Sequence, residues 1–160
     1  MRKPNTIWAS IVLTLILFCI VSSVSGQCPN NNTLSFGNPT DLTPPTVGST
    51  VSNVQVWAGE YVTVNVVSGA NYTFSTCIGN SYNTVLSTYN ESTGVLQSFN
   101  DDFCSTQSQI NWTAGFSGIL RVLIDANPGC ASNATNSTIG VTLNSMPSVP
   151  EIDVRGNSVS

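Results

Sequence analysis

The chain has 160 residues, four basic and eight acidic side chains, no histidine and a formal net charge of −4 at pH 7. Lacking any imidazole, it is excluded from the Ser-His-Asp and Cys-His classes of nucleophilic enzyme. The shortage of basic residues excludes the cationic surface on which nucleic-acid affinity rests.

The first segment reads Met1-Arg2-Lys3, then an apolar run from Ile7 to Val21, then Val24-Ser25-Gly26. A positive start, an apolar middle and small residues at the end are the three parts of a secretory signal peptide. The run is short of the roughly 20 apolar residues that a membrane span needs. Cleavage is expected after Gly26, which leaves Gln27 first and no membrane span. A lipid anchor on Cys28 is disfavoured, because Gln27 precedes it and a small residue is normally required. Cleavage removes Arg2 and Lys3, so only Arg121 and Arg155 face the eight acids, a net charge of about −6. The rest is one domain's worth of chain, long enough to bury a core.

Residues 27–50 are rich in Asn, Thr, Pro and Gly and are expected to form an extended lead-in, with an edge strand at Leu34–Phe36. Strand signals then follow one another. Val54 and Val56, and next Val62, Val64 and Val66, alternate with polar or aromatic neighbours, the period-two pattern of a half-buried strand. Tyr72–Cys77 alternates again after the Ser68–Asn71 turn. Val85–Tyr89 and Val95–Phe99 flank a hairpin loop at Asn90–Gly94. Gln109–Thr113 and Gly118–Ile124 flank residues 114–117, and Ile139, Val141 and Leu143 make a last strand. About eight antiparallel strands with turns at regular intervals predict an all-β fold, a β-sandwich or jelly roll over residues 51–145. A Pro-rich joint follows, and from Glu151 a further alternating segment begins as the chain stops. This tail is expected either to be disordered or to be the start of a truncated segment of a larger parent protein.

Cys28, Cys77, Cys104 and Cys130 remain after cleavage, and an even number in an exported chain reads as two disulfides with three possible pairings. No pair has CxxC spacing, which argues against zinc. Position favours Cys77 with Cys104, at strand ends bordering one turn. Cys28 with Cys130 would then tie the lead-in to the loop before the last strand.

Several stretches carry a family resemblance. They are Trp57–Val64, Tyr72–Cys77, Tyr82–Tyr89, Phe99–Cys104, Ile110–Thr113 and Ser117–Val122. In this order they resemble the bacterial pre-peptidase C-terminal domain, in particular its Cys-containing variants from large exported proteins of Bacteroidetes. The resemblance covers roughly Val54 to Leu143. It implies a β-sandwich attached to secreted proteases and surface proteins, not itself catalytic, linked to substrate or matrix binding and in some relatives to calcium. It also implies a bacterial protein exported by the Sec route to the cell surface. The family's Asp-Thr pair is Asn83-Thr84 here, which weakens any cation site that uses that Asp. Residues 150–157 resemble the opening of a choice-of-anchor repeat, which again implies further domains of a larger parent.

The remaining chemistry is sparse. A Ser-Lys site fails because the only lysine is Lys3. Asp101 and Asp102 are adjacent, so on a strand they would point to opposite faces, and nothing in the spacing pairs either with Asp125 for glycoside hydrolysis. Asn100, Asp101 and Asp102 offer the oxygen ligands that calcium prefers, although Asn and Asp also serve simply as turn formers. Six Asn-x-Ser/Thr sequons occur, at Asn31, Asn71, Asn90, Asn111, Asn133 and Asn136; the bacterial resemblance favours chance over glycosylation. Trp57, Tyr82 and Trp112 are candidate stacking platforms for a glycan or protein ligand, against a packing role in the core. Three functions are weighed: a non-catalytic surface module for adhesion or ligand binding, the accessory domain of a secreted hydrolase whose catalytic part lies elsewhere, and a small lectin-like protein acting alone.

Overall fold

The structure is a computed structural model that describes residues 27–148. The expected signal peptide and the segment after the Pro-rich joint lie outside the described residues. Nine strands are present: β1 (Thr33–Leu34), β2 (Thr50–Val56), β3 (Glu60–Val66), β4 (Asn71–Ser75), β5 (Thr84–Asn90), β6 (Leu96–Asn100), β7 (Gln109–Thr113), β8 (Gly118–Ala126) and β9 (Ser137–Ser145). They form a five-stranded sheet of order β1-β3-β8-β5-β6 and a four-stranded sheet of order β2-β9-β4-β7. The fold is an all-β sandwich. Every named pairing is antiparallel except β1 with β3, which run parallel.

The core follows from the alternation. Val62, Val64 and Val66 on β3 and Leu120, Val122 and Ile124 on β8 point inward from one sheet; Tyr72 and Phe74 on β4 and Ile139, Val141 and Leu143 on β9 point inward from the other. Burying each such side chain stabilises by about 1.5–3 kcal/mol. Trp112 on β7 packs at the edge of this core, its ring 6.5 Å from that of Tyr72 and 5.9 Å from that of Phe116. At one end the sandwich is closed by hydroxyls. Thr76 and Thr84 meet at 2.7 Å, and the Ser108 N–H donates to both.

Three features depart from the alternation. Val54 and Val56 were expected on one face, yet Val56 is buried and Val54 is exposed. A register shift between Asn53 and Val56 separates them and buries Asn53 instead, whose side chain donates to Pro39 O and accepts from Gln55 N–H. The lead-in's strand is Thr33–Leu34 rather than Leu34–Phe36, because after the Ser35 N–H donates to Tyr61 O the chain turns away. Finally, β5 is buried over six consecutive residues. One face meets the core; the other is covered by the lead-in.

That cover is a strap. Cys28 is bonded to Cys130, and its N–H donates to Ser87 Oγ above β5, while the Tyr89 hydroxyl donates to Cys28 O. Asn32 then reaches β8 and β3, where its amide donates to Glu60 O, Ile124 O and Asp125 Oδ1. Thr33 continues down the edge of β3, and Leu42 ends inside the core. The lead-in is therefore integral to the sandwich. Beneath its first residues Cys28, Val85, Tyr89 and Leu123 form a small second apolar layer on the outer face of the five-stranded sheet.

Candidate functional site

Where β2 turns into β3, a cleft of about 240 Å³ is lined by Phe36, Gly37, Gln55, Trp57, Glu60 and Asn136. Phe36 is 90% exposed and Trp57 41% exposed. Glu60 organises both, though it is itself only 5% exposed. One carboxylate oxygen accepts from the Phe36 N–H at 3.4 Å and the other from the Trp57 N–H at 3.0 Å. Both of its oxygens thus accept from main-chain N–H groups. The indole N–H of Trp57 donates to Asn136 Oδ1 at 2.5 Å, which fixes the plane of the ring. Gly37 permits the arrangement by its lack of a side chain. A Cβ there would stand 2.6 Å from Gln55 O and 2.7 Å from Asn53 Oδ1, so the chain carrying Phe36 could not lie so close to β2.

A wider groove of about 520 Å³ lies between the β5–β6 loop and the start of β8, lined among others by Glu91, Phe116 and Ile119. Its one acid is already paired. Arg121 donates to both oxygens of Glu91, which holds that carboxyl below its usual range, and the same guanidinium lies 4.6 Å over the Tyr61 ring.

The residues singled out in the sequence are dispersed. Trp57 lines the cleft; Tyr82 and Trp112 do not. Trp112 packs on the core, and burial, then the nearby acids Asp125 and Glu60, raise the pKa of the Tyr82 hydroxyl. Asn100 Oδ1 accepts from the Gln109 N–H, and both oxygens of Asp101 accept from the Asn127 amide at 3.0 Å. Burial, and then the charge of Asp102, raise the Asp101 pKa. Asp102 is exposed. Among the described residues no three of His, Cys, Asp and Glu gather into a metal-sized group. The sulfurs of Cys77 and Cys104 form a second disulfide, with Cα atoms 5.9 Å apart.

Sequence reasoning passed over Phe36, Gln55, Glu60 and Asn136. Phe36 did leave a trace: it is an aromatic among turn-forming residues with no alternating apolar partner to pack it. Glu60 left none, since an acid beside a turn reads as an ordinary surface residue.

Sandwich, disulfides and exposed aromatic cleft together define a disulfide-linked β-sandwich module, of a kind whose bonds persist in oxidising compartments. Residues 51–148 match the model of a family described as a domain of unknown function (DUF8695), and the chain belongs to that family. No curated protein matches it. Two solved structures are similar to it. The pre-peptidase C-terminal domain of collagenase from Bacillus anthracis has 12% identity and a TM-score of 0.44, covering 73% of this chain and 97% of that one. PliG of Aeromonas hydrophila, a periplasmic inhibitor of g-type lysozyme, has 14% identity and a TM-score of 0.41, covering 64% and 96% respectively.

Proposed function

We propose that this protein is a non-catalytic module of the exported cell surface that binds an uncharged glycan in the Phe36–Trp57 cleft. The observation that carries this reading is the pair of exposed aromatics whose main chains are both held by the buried Glu60 carboxylate. Exposing an aromatic ring to water has a cost that folding would otherwise avoid, and an investment of a buried acid in positioning two of them argues for a ligand. Ring faces accept the C–H faces of a sugar, while the amides of Gln55 and Asn136 offer donors and acceptors to its hydroxyls. The lining has no basic side chain, and its one acid is spent on holding the two aromatic main chains, which favours a neutral ligand over an acidic one.

The test is a binding screen of the purified protein, with both disulfides formed, against neutral glycans, acidic glycans and matrix proteins. Binding to neutral glycans that weakens at least tenfold in Phe36→Ala and Trp57→Ala supports the reading. Retention of matrix proteins alone, with the same two substitutions abolishing it, would make the cleft a protein site. A flat screen would reduce the module to a spacer.

A further inference from the structure

The outer face of the five-stranded sheet carries a buried acid that the cleft does not use. Asp125 is 2% exposed, and its Oδ2 has no hydrogen-bond partner. Its Oδ1 has one, the Asn32 amide, which is shared with Glu60 O and Ile124 O. Two more buried oxygens lack partners in the same region. Asn83 Oδ1 belongs to the residue that leads into β5, where the Asn127 N–H bonds to Asn83 O and extends the β5–β8 ladder past Asp125. Asn30 Oδ1 belongs to the strap, between its anchor at Cys28 over β5 and its anchor at Asn32 over β8. These three are acceptors; a fourth buried oxygen without a partner, the Tyr82 hydroxyl, can donate as well as accept.

Among the described residues no side-chain cation relieves this. The titratable groups whose fields reach this end are Glu60, from β3, and Tyr82, from the segment before β5, and neither can carry positive charge. The strap and the loop 127–136 contain no ionisable side chain apart from the disulfide-bonded cysteines. Arg121, on the same strand, is committed to Glu91 and Tyr61. The donors at this end are the Asn32 amide, which reaches Oδ1 alone, and the Tyr82 hydroxyl, which makes no hydrogen bond to Asp125, so an ionised carboxylate would keep one oxygen buried without a donor.

We propose that residues 27–34 form a proton-gated clasp: with Asp125 neutral the strap closes over β8 and β5, and loss of its proton leaves a buried charge with one unpartnered oxygen beneath the strap, which favours opening to water while the Cys28–Cys130 bond keeps the strap tethered. Opening bares the apolar layer of Val85, Tyr89 and Leu123. The electrostatics agree with the geometry. Burial pushes the Asp125 pKa up to about 6, opposed only by the Asn32 amide. The sign follows from where the proton is held. The closed state keeps a proton that the open state releases at the ordinary carboxylate pKa. Closure is therefore fully favoured below about pH 4, declines as pH rises through the window to about 6, and stays weakened above it.

Hydrogen exchange at the Thr33 and Ser35 amides, which donate to Gly59 O and Tyr61 O, reads the clasp directly. After correction for the intrinsic rate, protection in the wild-type protein is expected to fall on the order of tenfold or more between about pH 5 and about pH 8. Asp125→Asn, which keeps the shape and supplies an amide donor, is expected to show protection nearly independent of pH. A wild-type profile that does not change, or the same fall in Asp125→Asn, overturns the proposal. So does recovery of full protection at pH 8 on adding millimolar calcium chloride, since a cation would then complete the site. Should Asp125→Asn not fold, a carboxyl-carbon NMR titration of the wild type decides. A midpoint near 6 supports the clasp, and a midpoint at or below about 4 removes it.

Discussion

The two faces of the five-stranded sheet are covered in different ways. The inner face meets the second sheet through valines, leucines and isoleucines, and the resulting core is apolar throughout its centre. Among the described residues the outer face is covered by irregular chain, the strap tied to the Cys130 loop, and there four apolar residues share the space with Ser87, Asn32 and Asp125. A sheet can bring a whole face of side chains to a partner sheet, but a strap brings few, and its own backbone needs hydrogen-bonding partners. The outer layer thus depends on polar bonds and a covalent tether where the inner one depends on packing.

The tether gives the sharpest test of that contrast. In the chain-entropy view a cross-link stabilises more when it closes a longer loop. Cys28–Cys130 spans 102 residues and Cys77–Cys104 spans 27. Replacing both cysteines of the first pair by serine is expected to cost about 5 kcal/mol in urea unfolding, and replacing both of the second about 3.5 kcal/mol. Equal losses would mean that the strap is held chiefly by its hydrogen bonds. The next largest effect compares two leucines of β8 that point to opposite faces, Leu120 inward and Leu123 outward, both fully buried. Leu120→Ala is expected to cost about 4 kcal/mol because two stiff sheets cannot close the void. Leu123→Ala is expected to cost about 2–3 kcal/mol because the strap can settle. The reverse order of melting temperatures would show the outer layer to be the more rigid. The smallest effect belongs to the cleft. Phe36→Ala removes a ring that is 90% exposed and is expected to change stability by less than about 0.5 kcal/mol. A larger loss would give that ring a packing role and undercut its assignment to a ligand.

The candidate site was only partly legible. Trp57 stood out by its type and its place beside a turn. Its partners Phe36 and Asn136 lie 21 and 79 positions away from it in the chain, and no local periodicity links them. Trp112 looked equally suited to a ligand, yet its position opposite Tyr72 in the β4–β7 register turned it onto the core. Asp125 looked like one more acid on an alternating strand. Nothing local to it announces that a segment more than ninety residues earlier will lie across it.

By itself, the order of residues determined that this chain makes strands, roughly where each begins and ends, and that nucleophilic chemistry through histidine is closed to it. Those properties are local: side-chain shape, the period of two, the residues that turn a chain, the identity of the groups present. Tertiary structure alone decided which face of each strand is covered, and by what. It joined the strap to Cys130, slipped the β2 register so that Asn53 went in and Val54 went out, set Glu60 beneath two exposed rings, and left Asp125 among acceptors. Burial is a property of neighbours distant in the chain, and it is burial that separates an ordinary acid from one that titrates a clasp.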